Sequence, residues 1–251
     1  LDDASKNGVT IKLNIAIKRI NCKNNICSSV IDSEGKEYQG KYFISSIDLN
    51  NTFNKLIGSK YLPPNFKRQV NNIKYRGSSA RIHFALNELP KIPNVKDSEM
   101  EAILSINPSI NYLERAHDDI KYGNYSQNPH LTLAFPSIAN PDLAPKGKSV
   151  MSATVQHIPY KLKNEDWNDH TINEISQIII NTIQKYIPNF SQYIEHQFLM
   201  TPQDFENSLK ITEGNFHHGE LCLDQFYFMR PTMKSAQYST PFNNLFLCGS
   251  G

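Results

Sequence analysis

The chain has 251 residues, of which 39% are hydrophobic and 20% charged, and its formal net charge at pH 7 is +2. Acidic and basic residues are interspersed, which argues against a surface dedicated to nucleic acid, and no apolar run approaches the roughly 20 residues of a membrane span. The length allows one large domain or two small ones, each with a real hydrophobic core.

The chain is predicted to begin with a three-stranded antiparallel meander. Residues 9–20 alternate and are rich in isoleucine, which is typical of a strand. Asn24 and Asn25 favour a two-residue hairpin turn because asparagine tolerates positive φ. A second strand is expected over 26–32 and a third over 37–47. A sheet of this size is too thin to fold alone, so we expect it to pack on the rest of the chain.

Four cysteines occur, at positions 22, 27, 222 and 248, without the repeated close spacing of a zinc site. The predicted hairpin places Cys22 opposite Cys27, and such neighbours lie about 4.5–5.5 Å apart. That separation allows a disulfide. Two interpretations follow, a disulfide or two reduced thiols, and the usual redox state of the cytosol favours the thiols.

The remaining chain is predicted to be α+β, with helices and strands in alternation. Strands are expected over 78–86, 131–135, 150–159, 193–200 and 245–248. Helices are expected from a cap within 48–51 to Leu56, near 65–70, over 110–122, from Asp166 or Asp169 to Pro188, and after Thr201 and Pro202. The fourth is the clearest, because its isoleucines recur at helical spacing. A boundary is expected near residue 48.

His217, His218 and Glu220 form the densest cluster of groups that can bind a metal. Neighbouring side chains of an extended strand point to opposite faces, so the two histidines are not expected to share one ion. The sequence therefore favours a structural or substrate-pocket role for one histidine, and no metal site is predicted.

Arg230 follows the aromatic run 226–228. Arginine in that position can clamp a carboxylate or phosphate, or it can be held in an ion pair. Gln225 can bind a ligand or satisfy backbone groups. Glu114 and Asp118 share a helix face, where a solvated surface is favoured over an acid–base pair. Glycine-rich phosphate loops and the Gly-x-Ser-x-Gly turn are absent from the sequence.

A set of short segments occurs in a fixed order along the chain. They are residues 112–116 with Asp118 and Asp119, 136–137, 143–148, 156–160, 199–202 with Glu206, and 214–251. In this order they resemble the phytoene dehydrogenase-related flavoproteins, and most of all the branch named for a pyridine nucleotide-disulfide oxidoreductase domain. Animal members of that branch are mitochondrial.

The resemblance implies a two-domain FAD enzyme of the amine oxidase and phytoene desaturase type. A Rossmann-like domain holds FAD, and a mixed, mainly antiparallel sheet flanked by helices binds the substrate. Residues 1–48 would be a remnant of the FAD-binding domain, 49–244 the substrate-binding domain, and 245–251 the strand and turn returning to the FAD domain. Because both glycine-rich FAD segments lie outside these residues, the chain is expected to be an internal or C-terminal fragment that binds no FAD by itself.

The resemblance also assigns residues to sites. Ile17 falls where relatives meet the adenine, Ser46 lies in the crossover out of the FAD domain, and the last residues match the flavin-side turn. The implied cofactor-binding residues are Ile17, Ser46, Cys248, Gly249, Ser250 and Gly251. For the substrate pocket, the aromatic segment and its polar neighbours, rather than the resemblance, suggest a lining near the isoalloxazine of His218, Gln225, Phe226, Phe228 and Arg230. The resemblance assigns no catalytic base to this chain, since in this superfamily the flavin itself accepts the hydride.

The expected reaction is hydride transfer from an apolar or amphipathic substrate to FAD of the full-length protein. Three other hypotheses stay open: a flavin-dependent isomerase, a non-catalytic binding or scaffold protein that retains the fold, and a metal-dependent enzyme using His217, His218 and Glu220. A homodimer is compatible with the resemblance. The expected location is the cytoplasm in a bacterium or the mitochondrion in a eukaryote.

Overall fold

Residues 1–250 are described by the computed structural model, and they divide into two units. Unit 1 consists of Leu1–Lys74 together with the segment from His217 onward, and unit 2 is Tyr75–Phe216. These bounds differ from the predicted segments 1–48, 49–244 and 245–251, whose assignment to an FAD-domain remnant and a substrate domain stays a prediction. No helix within residues 1–250 is both long and apolar enough to cross a membrane.

The secondary structure is mixed, with mainly antiparallel sheets and helices beside them, which confirms the predicted class. The strands are β1 Ile17–Lys23, β2 Ile26–Asp32, β3 Glu37–Gln39, β4 Phe43–Ser45, β5 Ser79–Leu86, β6 Leu104–Ile106, β7 Leu131–Ala134, β8 Ser149–Gln156, β9 Ile194–Met200 and β10 Leu245–Leu247. The α-helices are α1 Asp2–Lys6, α2 Pro64–Asn71, α3 Ile110–Lys121, α4 Pro136–Ala139, α5 Asp169–Gln184, α6 Phe190–Tyr193 and α7 Pro202–Leu209. A π-helical segment spans Asn50–Gly58, and short 3₁₀ turns span Ser59–Tyr61, Asp97–Glu99, Pro141–Leu143, Thr212–Gly214, Leu223–Gln225 and Tyr227–Met229.

The antiparallel meander β1–β2–β3 confirms the predicted hairpin of unit 1. Asn24 and Asn25 have φ of 52° and 58°, and Cys22 pairs with Cys27. The two cysteines are joined as a disulfide, whereas reduced thiols were favoured from the sequence. The physical reason is the register, since the two-residue turn places both side chains directly opposite each other.

Two strand predictions in unit 1 are wrong in part. Residues 9–16 form no strand, since β1 begins at Ile17, which pairs with Asp32 at the end of β2. One backbone bond extends past this pair, from the Ser33 N–H to the Ala16 carbonyl at 2.8 Å, and there the chain of β2 turns away. The predicted strand 37–47 is divided into β3 and β4. The chain changes partner there, since β3 pairs antiparallel with β2 and β4 pairs parallel with β10.

The core of unit 1 lies between the π-helical segment, α2 and β10. Phe53 is fully buried and meets Phe66 edge-on, with ring centroids 4.8 Å apart. The predicted cap is confirmed, because Oδ1 of the buried Asp48 accepts a hydrogen bond from the Asn51 backbone N–H at 2.9 Å. This cap fixes the chain as it leaves β4.

Unit 2 is built on a five-stranded antiparallel sheet in the order β6–β7–β8–β5–β9. One face is covered by α5, whose isoleucines are buried against it, among them Ile175, Ile179 and Ile183. The predicted common orientation of Ala80, Ile82, Phe84 and Leu86 on β5 is confirmed, since all four are fully buried.

The cap prediction for α5 is wrong. Asn168 caps the helix instead of Asp166 or Asp169, and its Oδ1 accepts a hydrogen bond from the Thr171 N–H at 3.1 Å. Asparagine and aspartate are equally good caps, so the residue types alone did not select the position.

Candidate functional site

The parallel pair β4–β10 brings two chain segments to one edge of unit 1. Ser45 lies opposite Leu247, and the Cys248 N–H donates to the Ser45 carbonyl at 2.9 Å. Parallel strands end on the same side of a sheet, so Ser46 and the turn 248–250 emerge together. The carboxyl edge of parallel strands is where ligands bind in open α/β sheets.

Gly249 lies close to two other segments at this edge. Its φ is 97°, and a Cβ added to it would lie 3.3 Å from the Ser46 carbonyl oxygen and 3.5 Å from Cε1 of His218. The positive φ favours glycine here, and the absence of a Cβ avoids a tight contact with the Ser46 carbonyl. Three segments of unit 1 therefore meet, around Ser46, His218 and Gly249, and we call this group the β4–β10 edge.

Arg230 connects two of these segments through backbone carbonyl groups. Its Nη2 donates to the Ser250 carbonyl at 2.9 Å, with Nε of the same side chain 3.3 Å from that oxygen. Nη1 donates to the Gly219 carbonyl at 3.3 Å, and Nη2 also donates to the His217 carbonyl. The guanidinium group thus holds the turn 248–250 against the segment 217–219. Its assignment to the substrate pocket stays a prediction.

His218 lies between these contacts with a half-buried imidazole and a left-handed backbone, at φ 59°. Its Nδ1 is buried and makes no hydrogen bond within the described residues 1–250. Burial lowers the pKa of His218 below its ordinary value of 6.5; the negative charge of Asp48 opposes this shift, and Arg230 and His217 add to it. The ring is therefore neutral at pH 7, with one nitrogen as donor and the other as acceptor.

The other predicted substrate-pocket residues have different surroundings. The Gln225 Oε1 accepts from the Lys74 N–H at 2.6 Å, and Nε2 donates to the carbonyls of Lys74 and Glu220 at 3.0 and 3.1 Å. Gln225 therefore satisfies backbone groups, which is the second of the two roles considered for it in the sequence. Phe226 and Phe228 are 41% and 71% exposed, so neither ring is enclosed by a pocket.

The predicted cofactor-binding residues divide into two groups. Ser46, Cys248, Gly249 and Ser250 lie together at the β4–β10 edge and are exposed there. Ile17 is elsewhere in unit 1, at the start of β1 and opposite Asp32 in the meander. Gly251 lies outside the described residues. Cys248 is a free, exposed thiol.

Metal ligation was one hypothesis for His217, His218 and Glu220. Within residues 1–250, the structure contains no group of three or more histidine, cysteine, aspartate or glutamate side chains arranged to hold a metal ion.

Unit 2 has a second sheet face that the sequence interpretation did not assign to a site. His83 of β5 lies on it, with Ser152 of β8 and Phe198 of β9 as its cross-strand partners. Phe198 is 61% exposed. Burial, followed by the charge of Arg81, lowers the pKa of His83. The sequence does indicate this second face, since Arg81, His83 and Ala85 alternate with the buried residues of β5.

Sequence comparison shows which known proteins the chain is related to. No family model matches it. It is 29% identical over 246 residues to pyridine nucleotide-disulfide oxidoreductase domain-containing protein 2 of Rattus norvegicus, which covers 94% of this chain and 42% of the rat protein. It is 28% identical over 124 residues to a 4,4'-diapophytoene desaturase of Staphylococcus haemolyticus, covering 48% of this chain and 25% of that protein.

The chain is homologous to pyridine nucleotide-disulfide oxidoreductase domain-containing protein 2 and to phytoene desaturases. The predicted resemblance is thereby confirmed. The chain spans less than half of the length of the curated relatives it matches, 42% in the rat protein.

Solved structures confirm the fold. An oxidoreductase of Methanosarcina mazei superposes with a TM-score of 0.58 at 14% identity, over 98% of this chain and 46% of that one. A redesigned putrescine oxidase superposes with a TM-score of 0.51 at 10% identity, over 98% of this chain and 45% of that one. The chain therefore shares the fold of the matching part of these two structures.

Proposed function

We propose that this chain carries the substrate-binding part, and one side of the flavin site, of an FAD-dependent oxidoreductase. The proposed reaction is hydride transfer from a C–H bond of an apolar or amphipathic substrate to the flavin. The β4–β10 edge is the observation that carries the proposal. The activity of the whole protein is part of the proposal too, because the chain covers 42% of the rat relative.

The residues at the β4–β10 edge fit a flavin in two respects. Gly249 presents backbone without a side chain, which permits close approach of a ligand. His218 offers a buried ring nitrogen that has no hydrogen-bond partner in the part of the chain that the structure describes. Ser46, Gly249 and Ser250 would hold the group and His218 would orient it, and the flavin when bound supplies the hydride acceptor.

Unit 2, taken by itself, has features that support a substrate-binding role. The second face of its sheet carries small side chains, including Ala85 and Ser152, beside the half-buried His83 and the exposed ring of Phe198. Small residues leave a shallow floor, and an exposed aromatic ring contributes apolar contact area. Such a surface suits an apolar or amphipathic molecule with one polar group.

The test is flavin binding by the full-length gene product. We expect FAD to copurify or to bind on addition, with the absorption bands of a protein-bound flavin. Gly249→Val should abolish binding, because φ of 97° strongly disfavours a branched side chain, whose Cβ would also be tight against the Ser46 carbonyl oxygen, at 3.3 Å. Gly8→Val is the matched control, since Gly8 has a φ of 83° with nothing within 4 Å of an added Cβ.

A full-length product that shows no flavin band and no FAD binding would refute the proposed function. The expectation that residues 1–251 bind no FAD by themselves is checked in the same titration. With a candidate substrate under anaerobic conditions, bleaching of the oxidised flavin supports net oxidation, whereas turnover only after pre-reduction selects the isomerase.

A further inference from the structure

His218 has an energetically unfavourable backbone conformation, and the residues on both sides of it are held by hydrogen bonds. Its φ of 59° lies in the left-handed region, which costs a residue with a side chain roughly 1–2 kcal/mol. The carbonyls of His217 and Gly219, the residues on either side, both accept hydrogen bonds from Arg230. Such a conformation persists only where the surroundings enforce it, and it is frequent at ligand sites.

The conformation directs the imidazole toward the turn that follows β10. An added Cβ on Gly249 would lie 3.5 Å from Cε1 and 3.8 Å from Nδ1 of His218. The same Arg230 that fixes His218 also binds the Ser250 carbonyl, at 2.9 Å. The ring and the turn are therefore fixed relative to each other by one side chain.

Nδ1 of His218 is a buried polar atom, and none of residues 1–250 forms a hydrogen bond with it. The great majority of buried polar atoms are paired, and each exception requires an explanation such as an unoccupied ligand position. Leaving such a group unpaired costs about 1–3 kcal/mol, so the arrangement is expected to be retained only where a ligand compensates. Burial together with Arg230 and His217 lowers the pKa of the ring, which outweighs the opposing charge of Asp48, so the nitrogen is available for a neutral hydrogen bond.

We propose that His218 is a flavin-binding residue whose Nδ1 forms a hydrogen bond with the bound cofactor, and that Arg230 is the positioning residue that presents it. This inference rests on the proposed function. It adds the atom that contacts the cofactor, Nδ1 of His218, and the residue that positions it, Arg230. His218 and Arg230 both belong to the segment 217–230. The turn that they face, 248–250, follows β10.

The experiment compares two substitutions of His218 in the full-length gene product. His218→Asn retains a polar atom near the position of Nδ1, and asparagine tolerates the left-handed backbone. His218→Gly removes the ring and also relieves the backbone strain, so it should fold at least as well. An exposed histidine on α5 gives the matched control, His170→Asn. The measurements are the Kd for FAD, the flavin absorption spectrum, the flavin reduction potential, and the melting temperature of the apoprotein.

We expect His218→Gly to weaken FAD binding about three- to tenfold, the range of one neutral hydrogen bond, and to shift the spectrum and the potential. His218→Asn should stay within about twofold of the wild type, and the melting temperature of both apoproteins should not fall. Arg230→Gln should change the spectrum in the direction of His218→Gly, because the ring loses its support.

An unchanged Kd, spectrum and potential in His218→Gly would overturn the inference while leaving the proposed function intact. A lowered melting temperature as the only effect would overturn it as well, since that result indicates a purely structural role. A wild-type protein that binds no FAD would overturn both the inference and the proposed function.

Discussion

Gly214 shows how a single residue without a side chain allows two backbone segments of unit 2 to touch. Its φ is 65°, and an added Cβ would lie 1.9 Å from the carbonyl oxygen of Pro202, at the start of α7. The obstacle is backbone, which cannot rotate away as a flexible side chain does. The position therefore excludes every residue other than glycine.

Gly214→Ala is expected to lower the free energy of unfolding by about 3 kcal/mol or more, because steric overlap with backbone adds to the cost of positive φ. Gly147→Ala is the matched control. Gly147 has a φ of 84° with open space around it, so only the conformational cost of about 1 kcal/mol applies. Urea unfolding of both variants measures the difference, and equal losses would contradict the steric argument.

At the scale of elements, the entry into β10 is joined to the first hairpin by one side chain. Asn244 accepts from the Cys27 N–H at 2.8 Å, and its Nδ2 donates to the carbonyls of Cys27 and Lys41 at 2.8 and 3.0 Å. The preceding residue adds a backbone bond, from the Asn243 N–H to the Asn25 carbonyl at 2.8 Å. The position of β10, and hence of the turn 248–250, depends on this connection.

Asn244→Ala is expected to destabilise the protein by about 2 kcal/mol, because it leaves partly buried backbone groups of Cys27 without partners. Asn243→Ala is the control, since the bond of Asn243 is made by its backbone and survives the substitution. Chemical unfolding gives the two values. Hydrogen exchange at Cys27 should rise only in Asn244→Ala, and exchange that stays slow there would refute the assigned role.

Local features of these elements could be predicted from the sequence, and distant pairings could not. The Asn24–Asn25 turn and the register of Cys22 with Cys27 follow from two adjacent residues and were predicted correctly. The division of 37–47 into β3 and β4 depends on β10, and Asn244 is 217 positions from Cys27. At the site, the family resemblance placed Ser46 and Gly249 in one group, whereas the carbonyl contacts of Arg230 depend on tertiary packing that no short segment encodes.

For the whole molecule, the histidines with lowered pKa values contribute to how stability responds to mild acid. Burial is the first cause of a lowered pKa for each of His83, His130, His157, His217 and His218. The shift is largest for His157, whose pKa falls from 6.5 to about 4 through burial and the nearby charges of His117 and His130. Its ring meets that of His117 edge-on, with centroids 5.1 Å apart. A positive charge on His117 disfavours a second positive charge on the adjacent ring of His157.

The direction of the pH effect follows from proton linkage. Below pH 6.5 the unfolded chain binds a proton at His157 that the folded chain does not accept until about pH 4. The unfolded state therefore binds more protons in this window, and stability falls as the pH falls through it. Above pH 6.5 this contribution of His157 is fully present, and it is lost below its folded-state pKa.

His157→Asn should make the decline of the unfolding free energy between pH 6.5 and about 4 shallower. The slope against pH should change by at most the amount that corresponds to about one bound proton. Asparagine tolerates the φ of 65° at this position, so the backbone is preserved. Unfolding free energies measured in urea at several pH values give the slope, and the exposed His170→Asn is the control for loss of an imidazole. If the slopes of wild type and His157→Asn coincide, the pKa of His157 is not lowered by folding, which would contradict this prediction.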